Sequence, residues 1–197
     1  MRVTIDVGTG DGRAVLVTAA RDPSTLVLGI DASAAAMAVA SRRAAGPARK
    51  GGLENARFVL AAAEAVPADL AGRADLVTVL FPWGSLLRGC VGRDEAVARG
   101  LIALVAPSGA LELMLAPADR DGLGGMPTTT HSIVEATAPA FDAEGFQLVV
   151  AREATPAEVA ATGSSWARRL GATRSTGAHG VNDANRRVAT LIRLARR

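Results

Sequence analysis

The stretch Asp6-Val7-Gly8-Thr9-Gly10-Asp11-Gly12 decides the fold. It follows a β-rich run, Arg2–Val7, and leads into a helix-compatible one, Asp11–Arg21. A glycine-rich turn between strand and helix lets backbone come close to a ligand and leaves helix N–H groups free to donate to it. A dinucleotide fingerprint places its third glycine at the last position of G-x-G-x-x-G. Here that position is Arg13, and the pattern is Gly8-x-Gly10-x-Gly12. An arginine side chain at a crowded helix start disfavours a turn that cradles a pyrophosphate.

After this turn, Leu26–Ile30 is a continuous apolar run ending at Asp31, as expected of a buried parallel strand. An alanine-rich helix is expected over Ser33–Ala45, then a polar connection, Gly46–Asn55. Further strands are expected at Ala56–Leu60, Leu76–Leu80, Ala110–Leu115, Phe146–Ala151 and Arg187–Leu194. Helices are expected at Arg93–Val105, stopping at Pro107, and at Ser132–Glu144, bent near Pro139. Asp119–Thr130 reads as a mobile Gly/Pro/Thr-rich loop. Thr155-Pro156-Ala157-Glu158 has capping-box spacing and should open a short helix. Ser164–Leu170 reads as another, and Ser175–Asn185 as a loop. Strands alternating with helices indicate βαβ units and a parallel sheet. The last two strands lack a full crossover helix, which fits a final strand entering antiparallel. The expectation is a single α/β domain over 1–197, with a seven-stranded, mostly parallel sheet and an antiparallel last strand.

A length of 197 residues suits one domain with a sizeable core. The net charge of +3 is unevenly spread. Residues 1–150 carry 13 basic and 16 acidic groups, whereas 151–197 carry nine arginines and three acids. A basic final stretch suits a polyanionic partner such as nucleic acid; an arginine-rich surface set by a GC-rich genome is the other reading. Cys90 is alone, so no internal disulfide forms, in keeping with a reducing compartment; it reads as a small buried hydrophobe. Asp6, Asp11 and Arg13 interrupt the N-terminal apolar run, so no signal peptide or membrane span is read there. The expected location is cytoplasmic, with no membrane partner.

Asp6, just before the glycines, points to a particular cofactor. S-adenosylmethionine (SAM) offers an ammonium and a sulfonium rather than a diphosphate, so a nearby carboxylate makes electrostatic sense. Asp31 ends the second strand, where a carboxylate can accept both ribose hydroxyls. Ala63-Glu64 follows the third strand, where class I methyltransferases surround the adenine. Taken in order and spacing, the three features indicate SAM, with S-adenosyl-L-homocysteine as product, on the Rossmann-like fold of class I SAM methyltransferases.

Two tryptophans bear on the acceptor. Phe81-Pro82-Trp83-Gly84-Ser85 lies at the end of the fourth strand, and open α/β sheets bind ligands outside their carboxyl strand ends. The segment resembles the Pro-plus-aromatic one that many methyltransferases acting on a base nitrogen carry at this point. There the aromatic stacks on the base, and a carbonyl, here that of Phe81 or its neighbour, would accept from the exocyclic amine. Trp83 also reads as an ordinary core residue. Trp166 sits in Ser164-Ser165-Trp166-Ala167-Arg168-Arg169, with Arg174 nearby. Stacking beside guanidiniums suits nucleic acid; a helix anchor is the alternative. Two aromatic faces stacking at about 1–3 kcal/mol per base would roughly offset base extrusion. His131 and His179 read as non-catalytic loop residues, and no residue reads as a metal ligand.

DVGTGDG at Asp6–Gly12, FPWGSLLRG at Phe81–Gly89, SWARRL at Ser165–Leu170 and PARKGGLEN at Pro47–Asn55 resemble the Kam/Npm-type aminoglycoside-resistance methyltransferases. These modify N1 of adenine 1408 in the decoding site of 16S ribosomal RNA, on the 30S subunit, giving resistance to kanamycin- and apramycin-class drugs. The resemblance implies that Asp6, Gly8, Gly10, Gly12, Asp31, Ala63 and Glu64 line the SAM pocket, together with Leu80, Phe81, Pro82, Trp83, Gly84 and Ser85. Ser164, Ser165 and Trp166 would close it. Trp83 and Trp166 would hold the flipped adenine, with Phe81 and Pro82 positioning it. Arg42, Arg43, Arg49, Lys50, Arg168, Arg169 and Arg174 would grip rRNA, from segments around 42–55, 116–130 and 155–185. A monomer is expected. Family members usually begin with an N-terminal β-hairpin segment that docks on the ribosome; with the first strand at Arg2, the expectation here is a chain lacking it. A methyltransferase of tRNA or of a small molecule, and a SAM- and RNA-binding protein with little activity, are the competing readings.

Overall fold

β1 (Arg2–Val7) runs through the middle of the sheet, parallel to β2 (Thr25–Asp31) on one side and β4 (Ala74–Leu80) on the other. β3 (Ala56–Leu60) extends the sheet beyond β2. On the other wing lie β5 (Val105–Leu115), β7 (Thr190–Arg196) and β6 (Phe146–Glu153). The order is β3-β2-β1-β4-β5-β7-β6, and β7 is antiparallel to both neighbours. The seven strands and the antiparallel last one are as the sequence indicates. This computed structural model describes residues 1–117, 124–169 and 188–197. Arg174, His179 and the Ser175–Asn185 loop lie outside the described residues, as do parts of the 116–130 and 155–185 segments.

α1 (Arg13–Arg21) and α2 (Ala34–Ala44) return the chain from β1 and β2. Ser33 caps α2 by accepting the Ala36 N–H at 3.3 Å, which satisfies a helix-end donor. Asn55 fastens the return: its amide donates to the carbonyls of Ala19, Asp22 and Thr25. α4 (Glu95–Leu104) and α5 (Thr130–Asp142) help enclose the main core, in which Ile5, Val77, Leu101, Leu111, Leu113, Ile133 and Phe141 are fully buried. α6 (Pro156–Ala161) carries the anticipated capping box, Thr155 with Glu158.

Several boundaries differ from the sequence reading; α5 begins at Thr130, so His131 lies in a helix rather than a loop. α3 (Gly84–Cys90) is a helix where only a loop motif is evident in sequence. β5 begins at Val105, five residues before the expected start, because Val105 pairs with Ala74 ahead of an irregularity that absorbs Pro107 and Gly109. β7 begins at Thr190 rather than Arg187. Pro139 sits within α5 and does not end it. Among the described residues, no helix is long and apolar enough to cross a membrane.

Candidate active site

The glycine turn is pinned to the end of β2. Gly8 N–H and Thr9 N–H both donate to the Ile30 carbonyl, at 2.8 and 3.0 Å. Gly10 N–H donates to Asp31 Oδ2 at 2.8 Å, and Ser33 N–H to Asp31 Oδ1 at 2.8 Å. Each carboxylate oxygen keeps further acceptor capacity, so Asp31 holds the turn and still offers two oxygens to the space above. Gly10 has φ +56° and nothing within 4 Å of where a Cβ would stand, so its open side is cleft. Gly12 differs: a Cβ there would meet Phe58 Cε1 at 2.5 Å and Ala40 Cβ at 2.7 Å. Gly12 therefore lets α1 pack on α2 and β3.

Asp6 lies under the turn, buried. The Thr78 hydroxyl donates to its Oδ1 at 2.8 Å. Burial pushes its carboxyl up to about 6; the Thr78 and Thr9 hydroxyls oppose that rise, and repulsion from Asp31 adds to it. The Thr9 hydroxyl sits near enough to favour the ionised form but forms no hydrogen bond of good geometry.

β4 leaves the sheet through Phe81, whose φ of +53° is a left-handed conformation costly to a side chain with a Cβ. Two features hold it: its N–H donates to the Met114 carbonyl at 2.7 Å, and its ring is buried with Met114, Ala167 and Leu191. The sharp exit carries Pro82, Trp83 and Ser85 to the cleft. Trp83 is 77% exposed, which rules out the core reading for it. Leu86, on α3, packs over Gly8, whose Cβ position would lie 2.4 Å from Leu86 Cδ2.

The opposite wall comes from the chain after α6. Gly163 abuts Val17 of α1, with no room for a Cβ. The Ser164 hydroxyl accepts the Ala167 N–H at 3.0 Å and so caps the helical residues 165–169. The Ser165 hydroxyl donates to Asp11 Oδ2 on the glycine turn. Trp166 packs against the Phe81 cluster and also lines the cleft. The Arg169 guanidinium stands 5.8 Å from the Trp166 ring centre, within cation–π range.

These parts enclose one open cleft of about 390 Å³ at the carboxyl ends of β1, β2 and β4. Asp6, Gly8, Gly10, Asp31, Ala63 and Glu64 line it, as do Leu80, Phe81, Pro82, Trp83 and Ser85. Ser164, Ser165 and Trp166 complete it. Gly12 and Gly84 do not line it, which corrects their expected place in the site: Gly12 is a packing position, and Gly84 starts α3. Thr9 and Asp11 of the glycine stretch line it too, as do Leu86 and Arg169, which the sequence alone does not place in the pocket. Of the basic residues, exposed Arg168 donates to Ser165 Oγ at 3.3 Å. Arg42, Arg43, Arg49 and Lys50 are exposed at the opposite end of the strands, where α2 ends and the chain enters β3. That end lies one strand length, roughly 20 Å, from the cleft.

The cleft fits SAM in size and donor set. Its volume lies within the range of small-molecule sites. It presents Asp6 and Asp31, the unpartnered buried Thr9 hydroxyl, and the bare surface of Gly10.

A family model described as NpmA, 16S rRNA (adenine(1408)-N(1))-methyltransferase, matches residues 1–183. A 16S rRNA (adenine(1408)-N(1))-methyltransferase of Streptoalloteichus tenebrarius is 39% identical over 177 residues, spanning 87% of this chain and 81% of the relative. A variant of the corresponding enzyme from Catenulisporales acidiphilia, solved with its cosubstrate SAM, superposes with a TM-score of 0.81 at 33% identity, covering 99% of this chain and 85% of that one. The aminoglycoside resistance methyltransferase NpmB1 gives 0.76 at 34% identity, covering 100% and 87%.

Proposed function

Because this chain belongs to the family of 16S rRNA (adenine(1408)-N(1))-methyltransferases, we propose that its cleft binds SAM and methylates N1 of that adenine within the 30S subunit, conferring aminoglycoside resistance. The protein acts as a monomer in the cytoplasm, and residues 1–197 serve as one methyltransferase domain. The observation that carries the acceptor half is the placement of Trp83 and Trp166 on one cleft with the Asp6–Asp31 pair.

SAM, when bound, supplies an electrophilic methyl group to which adenine N1 brings its own lone pair, so no general base is required. Asp6 is assigned to the cofactor's ammonium and Asp31 to its ribose hydroxyls. Ala63 and Glu64, on a turn packed over Gly100 of α4, flank the base of the cofactor. Trp83 and Trp166 hold the extruded adenine between them, and the bend at Phe81-Pro82 sets where it sits. Catalysis is then mainly positioning of the nitrogen in line with the methyl group.

Arg168 and Arg169 are assigned to rRNA phosphates beside the cleft, and Arg174 to the same backbone. Arg42, Arg43, Arg49 and Lys50 form a second basic patch at the far end of the strands. Among the described residues, the side-chain ion pairs involve none of these four, and all four are solvent-exposed, so their charge is available to a polyanion.

The test is methyl transfer from labelled SAM to three separate acceptors: 30S subunits, free tRNA and a set of small molecules. Label in the 16S rRNA of 30S subunits supports the reading. Label confined to tRNA or a small molecule, or SAM binding with no transfer to any of them, contradicts it.

A further inference from the structure

The hydrogen bond between Ser165 and Asp11 joins residues 154 positions apart in the chain. Its two ends belong to different halves of the proposed site. Asp11 stands on the glycine turn, next to Gly10, and its other oxygen accepts the Arg13 N–H at 3.2 Å, which orients the carboxylate at the start of α1. Ser165 immediately precedes Trp166, and its oxygen also receives Arg168 Nη2. Among the described residues, Gly163 on Val17 and the packing of Trp166 and Ala167 on the Phe81 cluster also anchor this stretch to the domain.

We propose that Asp11 is a positioning residue for the acceptor: through Ser165 it fixes the Trp166 face relative to the cofactor turn, so that filling the cofactor cleft orders the aromatic wall that receives the base. The inference rests on the methyl-transfer reading of the cleft. Physically, Asp11 and Gly10 are adjacent on one turn, and Asp31 clamps that turn through the Gly10 amide. A ligand seated against Gly10 and Asp31 therefore stiffens the support to which Ser165 is bonded. A hydroxyl-to-carboxylate bond is of the stronger, charge-assisted kind. Arg168, sharing the Ser165 oxygen, links the same bond to a group assigned to the rRNA backbone.

The experiment combines a double-mutant cycle with a spectroscopic probe. Asp11→Ala, Ser165→Ala and their combination are assayed on 30S subunits with SAM. Each single variant should lose about tenfold in kcat/KM, the order expected for one charged hydrogen bond, while the SAM Kd moves less than threefold. The double variant should lose no more than the worse single one, because both break the same bond. Ser165→Thr, which keeps the hydroxyl, should restore most of the activity. In a Trp83→Phe background Trp166 is the sole tryptophan emitter. There, S-adenosyl-L-homocysteine should shield Trp166 from acrylamide when the bond is intact and should fail to do so in Asp11→Ala. Multiplying losses in the double variant, or equal shielding with and without Asp11, would overturn the proposal. If the wild type methylated no rRNA, the functional reading would fall, while the shielding measurement would still decide whether the two walls are coupled.

Discussion

Asp6 and Thr78 face each other across the two central strands, paired in register, with the threonine hydroxyl donating to the buried carboxyl at 2.8 Å. Burial still dominates, and the carboxyl is pushed up to about 6. The folded state thus holds this proton more tightly than the unfolded chain, whose reference value is 3.8. Between those values the folded form binds more protons, so stability falls as pH rises through the window. The ionised form costs the unliganded protein about 3 kcal/mol by pH 7. Denaturant midpoints should accordingly decline from pH 4 to pH 7, and Asp6→Asn should flatten that decline.

Ligand affinity should run the other way. With Asp6 assigned to the cofactor's ammonium, the ionised carboxylate should attract it and the protonated one should not. SAM affinity should fall by up to about tenfold per pH unit below pH 6. Calorimetric titration of Asp6→Asn should show weaker binding with that slope removed; an unchanged slope would refute the assignment of Asp6.

The glycines of the turn should separate. Gly12→Ala meets Phe58 and Ala40 below 3 Å and has φ +70°, so it should destabilise the fold by about 3 kcal/mol or more. Gly10→Ala meets no atom, so its cost should be only about 1–2 kcal/mol, from its positive φ. Its new methyl group projects into the cleft, however, and SAM binding should weaken markedly. Thermal melts with and without SAM distinguish the two.

The same turn shows what a sequence can and cannot convey. Leu26–Ile30 and the glycines are legible because a buried parallel strand must be continuously apolar and a tight turn must tolerate positive φ. The role of Gly12 is not legible, since what crowds it, Ala40 and Phe58, arrives from α2 and β3. Asp11 is hidden for a similar reason: its partner Ser165 lies 154 residues away. α3 is hidden because Gly84-Ser85-Leu86-Leu87-Arg88-Gly89-Cys90 has glycines inside it and no side-chain cap. Its start is set by the strained backbone of Phe81, which in turn depends on the Met114 carbonyl.

The tryptophans should also part company in stability. Trp83→Ala removes a largely exposed ring and should cost less than about 0.5 kcal/mol. Trp166→Ala strips packing from the Phe81 cluster and should cost about 1–3 kcal/mol. Both should abolish most methyl transfer, with SAM affinity changed only a few fold. Methylation at wild-type rate by both variants would remove the adenine sandwich.

The far basic patch predicts a salt effect. Arg42→Glu with Arg43→Glu should weaken 30S binding and make the dependence of log affinity on log salt shallower, by about one unit for each phosphate no longer neutralised. SAM affinity should be unaffected, since the patch lies at the other end of the strands. Equal salt slopes for wild type and variant would remove these arginines from the rRNA interface.

The central claim is tested most directly by reverse transcription of 16S rRNA after purified 30S subunits are incubated with the protein and SAM. N1 methylation blocks base pairing. The account predicts a new stop at adenine 1408 that requires SAM and is lost with Trp83→Ala. Read-through at that adenine despite transfer of labelled methyl to another site would contradict it.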